Sequence, residues 1–436
     1  MSPPAAPAPT NPPNAGTPQL LAWAGYDWAN SAFSAVIQTF VFAAYFTKQI
    51  AADPDEGQTQ WALAIGLAGV VVALTGPFLG AIADQGGRRK PWIGLLTALC
   101  IVSTACLWLV DPSAPVWFAL YYVALGTVGI EGAAIFYNAM LADLASGKRL
   151  GRWSGWGWAA GYIGGLACLL LALAFIIGVG ERSAARLNDA LDLRYTFLLV
   201  AGWFALFSLP FFFVTPDRPS TRLPLGRAAV DGVRQLIDSA KHVRRYGHIV
   251  RFLVARLCYV DGLASIFALG GVYAAGVFDM DATDILMFGI GMNLAAGAGA
   301  FGLGWVDDRI GGKWTVVLAI IGVLIPGLAL LLIQDVLWFW VAGLTLGVFV
   351  GPVQSSSRSY LARVAPPELR TQCFGLYALS GKATAFAGPL LVFAVTAATG
   401  NQRAGMIPIF CFLTLGLLLM LTVPSEDNVA PTEPDQ

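Results

Sequence analysis

The chain has 436 residues, of which 57% are hydrophobic and 12% charged, about half the ~25% charge usual in soluble domains. Lys plus Arg and Asp plus Glu both total 26, so no charge excess points to a polyanionic partner such as nucleic acid. A soluble enzyme, a disordered scaffold and a nucleic-acid binder are excluded, which leaves an all-α integral membrane protein that crosses the bilayer many times.

Residues 1–19 are rich in Pro, Ala and Asn and carry no Lys or Arg. They do not resemble a signal peptide and read as a disordered tail. Residues 20–214 hold six apolar stretches, near 21–47, 60–83, 92–110, 115–140, 153–178 and 195–214. Each is close to the roughly 20 residues that a bilayer core demands. The polar segment 215–247 follows. In it Val230, Val233, Leu236, Ile237, Ala240 and Val243 recur at helical spacing among charged residues, predicting an amphipathic linker helix on the membrane surface. Six more stretches, near 248–275, 284–305, 314–333, 336–360, 373–398 and 404–423, fill a second bundle, 248–424. Residues 425–436 read as an acidic tail. The expected architecture is twelve transmembrane helices in two pseudo-symmetric six-helix bundles. Basic residues concentrate in alternate loops, eighteen against five, which predicts that both termini are cytoplasmic.

The two bundles repeat a motif. Gly80-x-x-x-Asp84-x-x-Gly87-Arg88-Arg89 follows the second span, and Gly304-x-x-x-Asp308-x-x-Gly311 follows the eighth. Gly155 and Gly161 in the fifth span match Gly375 and Gly381 in the eleventh. Matched offsets predict a duplicated six-helix unit, with a substrate site between the halves. Gly80 is expected to allow close helix approach and Gly87 a tight turn, with Asp84 capping a helix or pairing with Arg88 or Arg89.

Twelve spans in two halves with this loop resemble the major facilitator superfamily. Tyr26-Asp27-Trp28-Ala29-Asn30-Ser31-Ala32-Phe33 resembles the signature of its vacuole-effluxer-like branch. So do Tyr137-Asn138 and Gly151-Arg152-Trp153-Ser154-Gly155 with Gly161-Tyr162. The resemblance implies transport. The branch includes vacuolar amino-acid exporters and some bacterial copper importers. The paired Met and His ligands of those importers are missing from the spans here: Met287 and Met292 are five apart, and His242 and His248, the only histidines, lie in or beside the linker. No metal site and no cofactor are expected.

Ionisable residues inside spans are costly and therefore candidates for function. In the first span Asp27, Asn30, Ser31, Ser34 and Gln38 fall on one helical stripe, able to bind an ammonium or a proton, or to anchor the helix. Glu131, in the fourth span between Gly129 and Gly132, is the leading candidate for proton coupling, with Asp27 and Asp261 beside it. Asn138 shares its face. The second bundle adds Asp261, Asn293, Gln354 and Arg358 to the expected substrate site. Gly80, Asp84, Gly87, Arg88, Arg89, Asp308, Gly311 and Lys382 are the expected gating set. Arg358 and Lys382 are read either as gating cations or as ligands for a substrate carboxylate. With no HExxH, no G-x-S-x-G and no phosphate-binding loop, the reading is a secondary transporter and not an enzyme. It is expected to work as a monomer in a bacterial inner membrane, coupled to protons, on an amino acid or similar zwitterion. A copper importer and a non-transporting membrane sensor are the alternatives.

Overall fold

The computed structural model describes residues 15–145, 147–177, 190–221, 223–241, 246–385 and 387–429. The expected N-terminal tail (apart from residues 15–19), residues 430–436, His242 and Val243 lie outside them.

In hydrocarbon a backbone must satisfy its own polar groups, so each apolar stretch winds into a helix. The first half comprises α1 Thr17–Ile50, α2 Pro54–Gly86, α3 Lys90–Cys106, α4 Val116–Leu144, α5 Leu150–Ala172 and α6 Ala190–Val214. The linker helix is α7, Leu225–Lys241. The second half comprises α8 Gly247–Phe278, α9 Ala282–Ile310, α10 Gly312–Leu330, α11 Val336–Val364, α12 Arg370–Ser380, α13 Ala387–Thr399 and α14 Gln402–Thr422. Among the described residues, eleven helices are long and apolar enough to cross a membrane.

The predicted eleventh span, 373–398, departs from expectation. It is a broken helix: α12 stops at Ser380, residues 381–385 form turns, and α13 begins at Ala387. Gly381, Gly388 and Pro389 supply the local reason. The glycines favour no helix, and Pro389 has no N–H to bond backwards.

Gly87 and Gly311 close α2 and α9 at φ +81° and +83°. Only glycine takes this backbone comfortably, which explains why the repeated motif ends on it. Beyond each sixth span the chain folds back onto the third span of its own half. Asp217 accepts from Arg89 N and Lys90 N, both at 3.0 Å. Glu426 accepts from Gly312 N at 2.5 Å. Lys90 Nζ donates to Thr215 O, and Lys313 Nζ to Leu421 O. Residues 425–428 are thus bound to the second bundle and do not form the free tail expected. The linker helix α7 exists but packs against α2, with Gly232 on Ala81 and Ile82.

These contacts bring the loops after α2, α4, α6, α9 and α11 together with both ends of the described chain, at what is called here the basic end. The opposite end carries residues 51–53, 110–115, 279–281, 331–335 and 400–401.

Candidate functional site

Two close helix pairs join the halves. Along α2 and α12 a Cβ on Gly80 would lie 2.6 Å from Thr371 O, and one on Gly375 would lie 2.6 Å from the Gly76 carbonyl. Along α5 and α9, Gly304 meets the Arg152 backbone, and Gly155 meets Ala300 O. The small residues let the backbones touch. Two of the four glycine matches of the sequence repeat, Gly80 with Gly304 and Gly155 with Gly375, therefore fall on the surface between halves.

Polar clasps sit over these pairs at the basic end. Asp84 accepts from Thr371 Oγ1 at 2.5 Å and Gln372 N at 3.0 Å, across the halves, and its ion pair with Arg89 is longer, 3.4 Å. Arg89 donates to Thr371 Oγ1 at 2.8 Å and to Asp143. Asp143 also takes Arg218 at 2.8 Å and Arg370, from the other half, at 2.6 Å. Arg88 is exposed; the neighbour Arg89 makes the contacts. At the matching corner Asp308 accepts from both N and Nε of Arg152 at 3.1 Å. Arg363 binds Asp307 at 2.6 Å and Glu426 at 3.3 Å.

Beneath the clasps Arg358 reaches from α11 into the first half. Its Nη1 donates to Asp27 Oδ2 at 3.1 Å and Asn138 Oδ1 at 3.0 Å. Its Nε and Nη2 donate to Ser154 Oγ and O at 2.9 and 2.6 Å. The guanidinium lies 4.9 Å from the Trp23 ring centroid, within cation–π range. The Tyr26-Asp27-Trp28 signature follows from helix geometry, since three successive residues point about 100° apart. Tyr26 turns inward to Thr97 at 2.6 Å, Asp27 faces Arg358, and Trp28 stacks on Trp203. Trp23 and Tyr137 stack at 4.6 Å and exchange side-chain-to-carbonyl hydrogen bonds.

Above Arg358 a cavity of about 640 Å³ opens between the halves, a size usual for small-molecule sites. Asp27, Asn30, Ser34, Gln38, Glu131, Asn138, Asn293 and Arg358, all named as candidates from the sequence, line it. From Asp27 to Thr39 the wall of α1 is roughly 18 Å tall at 1.5 Å per residue. Ser34, Thr39 and Phe267, high in the cavity, are exposed. α1 is π-wound over Phe33–Phe40, a departure common at functional sites, and Gln38 there donates to Thr127 at 2.9 Å. Glu131 Oε1 accepts from Lys382 Nζ at 2.7 Å, while its Oε2 has no hydrogen-bond partner. The upper wall is apolar, with Phe40, Ile266, Phe288, Met292 and Phe339.

Two predicted site residues lie elsewhere. Asp261 is buried and accepts from Gly388 N at 3.1 Å, because α8 presents it to the broken helix and not to the cavity. Gln354 sits one turn before Arg358 on α11, but it is half-buried outside the cavity wall. The sequence reading missed Trp158 and Tyr162 in the cavity wall. It also missed Asp143, Asp307 and Glu426, and read Arg152, Arg218, Arg363 and Arg370 only as loop charges. Lone carboxylates at helix ends carry no periodic signal; the matched positions after the fourth and tenth spans were the available clue.

Comparison with known proteins agrees with this geometry. The family described as "Vacuole effluxer Atg22 like" matches residues 146–430. An uncharacterized MFS-type transporter of Bacillus subtilis, YxiO, is 28% identical over 423 residues, covering 94% of this chain and 96% of its own. Autophagy-related protein 22-2 of Aspergillus fumigatus is 24% identical over 292 residues, 61% of this chain and 47% of its own. The chain thus spans about half the length of that fungal relative. Among solved structures, the proton:xylose symporter XylE superposes with a TM-score of 0.72 at 15% identity, over 94% of this chain and 96% of its own. That likeness shows the fold, and the chain is a multi-pass membrane transporter of the major facilitator superfamily that belongs to the Atg22-like vacuole-effluxer family.

Proposed function

We propose that the protein is a proton-coupled secondary transporter of an amino acid with an apolar side chain, or a similar small zwitterion. It works by alternating access, as a monomer in a bacterial inner membrane with both termini cytoplasmic. The observation that carries the reading is the Glu131–Lys382 pair, an anion in the cavity wall held by a cation from the opposite half. A zwitterion satisfies both groups by inserting between them, its carboxylate on Lys382 and its ammonium on Glu131. A proton on Glu131 removes the charge that holds Lys382 and frees it for the substrate. The apolar upper wall suits an apolar side chain.

The basic end, with its excess of Lys and Arg in the sequence, is read as cytoplasmic. The clasps there are closed, so the cavity is read as facing outward. Arg358 is 2% exposed and gives four hydrogen bonds to Asp27, Asn138 and Ser154. It serves closure, and the substrate's charges fall to Glu131 and Lys382.

A thermal-shift screen of detergent-solubilised protein tests this. The panel holds amino acids, short peptides, sugars, organic acids, nucleosides and Cu(I). A ligand at ~100 times its Kd stabilises the folded state by roughly 2.7 kcal/mol. The expected result is a shift with apolar amino acids that Lys382→Gln abolishes and that Glu131→Gln, whose amide oxygen still accepts from an ammonium, weakens but keeps. A shift with sugars or Cu(I) alone would refute the zwitterion.

A further inference from the structure

The break in the eleventh span lies against one helix, α8, which supplies an opposite charge to each broken end. α12 ends at Ser380 and carries a partial negative charge there. Arg256, buried on α8, donates to the terminal Tyr377 O at 2.7 Å and to Ser380 Oγ at 2.8 Å. Its guanidinium also lies 3.4 Å from the Tyr377 ring centroid. α13 begins with free N–H groups and a partial positive charge. Asp261, 2% exposed and one and a half turns beyond Arg256 on α8, accepts there from Gly388 N at 3.1 Å.

Glycine marks each contact. A Cβ on Gly381 would lie 3.0 Å from Arg256 Nη1, and one on Gly388 would run into Ser265 Oγ, one turn beyond Asp261 on α8. Thr384, between them, reaches the Leu257 carbonyl of α8 at 3.5 Å. The turns so held carry Lys382, whose stem runs along Gly69 of α2 and whose ammonium lands on Glu131.

We propose that Arg256 and Asp261 are positioning residues of the transport site: together they hold the eleventh span broken and so place the Lys382 ammonium on Glu131 of the cavity wall. Both side chains are bound to the broken helix, Arg256 to Tyr377 O and Asp261 to Gly388 N, and neither lines the cavity. A straight helix would seat residue 382 in regular register, with the backbone groups now given to Arg256 and Asp261 bonded within the helix. The break frees Lys382 from that register. The proposal gives Asp261 a task that burial away from the cavity allows, in place of substrate contact. It rests on Glu131 and Lys382 being the working pair of the cavity.

A water-soluble carbodiimide tests it, because it joins a carboxylate and an amine as an amide only where they touch. Detergent-solubilised full-length protein is treated, digested, and scored by mass spectrometry for the Glu131–Lys382 cross-linked peptide. Wild type is expected to give the peptide and Glu131→Gln none. Arg256→Ala and Asp261→Ala should lower its yield about tenfold, the order of one partly buried charge lost from a helix end. Arg256→Lys and Asp261→Asn should retain more, since a lysine still donates to Tyr377 O and an asparagine oxygen still accepts from Gly388 N. These milder variants also serve if an alanine variant fails to run as a single species in gel filtration. Wild-type yield in the alanine variants, or in both milder variants when the alanine ones do not fold, would overturn the positioning role alone. Absence of the peptide from wild type would overturn the ion pair itself, and the proposal with it.

Discussion

Removing the Arg358 guanidinium would leave Asp27 beside Trp23 and Tyr137 without its cation. Breaking a fully buried pair from one side costs about 3–5 kcal/mol, because the remaining charge keeps its desolvation without its counter-ion. Arg358→Ala should therefore lower the thermal unfolding temperature markedly, and adding Asp27→Asn should recover part of the loss. A double variant no better than the single would mean that Asp27 is not the stranded group. Both residues were legible in the sequence, because a charge inside an apolar span is rare enough to name. Their pairing was not, with 331 positions between them. Periodicity places a side chain on a face and says nothing of which distant face meets it. The same limit left Lys382 without an assigned partner.

At the scale of the element, Gly80 shows how a motif becomes a contact. The sequence expectation of close helix approach is met at Thr371. A side chain there must push α2 and α12 apart, since the obstacle is backbone. With spin labels at exposed Arg88 and Glu368, on opposite halves of the basic end, Gly80→Val should move the inter-label distances outward. An unchanged distribution would argue that this pair does not set closure. Helix number and order were readable from hydropathy alone. The broken eleventh span was not, because its apolar run is continuous across 383–398 and the hydropathy signal carries straight through. The Gly381, Gly388 and Pro389 punctuation was there to read. The π-wound stretch of α1 left no such mark.

Across the whole molecule, the two halves close by unequal means. In the first half Asp217 caps α3 while Asp143 gathers Arg89, Arg218 and Arg370. In the second, Glu426 caps α10 and Arg363 gathers Asp307 and Glu426. The C-terminal segment is thus joined through Arg363 to the Arg152–Asp308 corner. Ending the chain at Pro424 should loosen that corner and spare the other. Labels at Arg149 and Arg309 should then spread, while labels at Arg88 and Glu368 hold their distance. Equal spreading at both corners would show the clasps to be one unit. The duplication was visible in sequence from eight glycines and two aspartates. The charge inversion between its halves was not, because Asp143 and Arg363 stand at matched places with opposite signs.

Proton coupling through Glu131 is the central claim. The protein would be reconstituted in liposomes and given the amino acid that shifts its unfolding most, under an imposed pH gradient. Wild type should accumulate the solute above equilibrium. Glu131→Gln should lose that accumulation while still exchanging labelled for unlabelled solute across the membrane. Undiminished gradient-driven accumulation by Glu131→Gln would contradict the account.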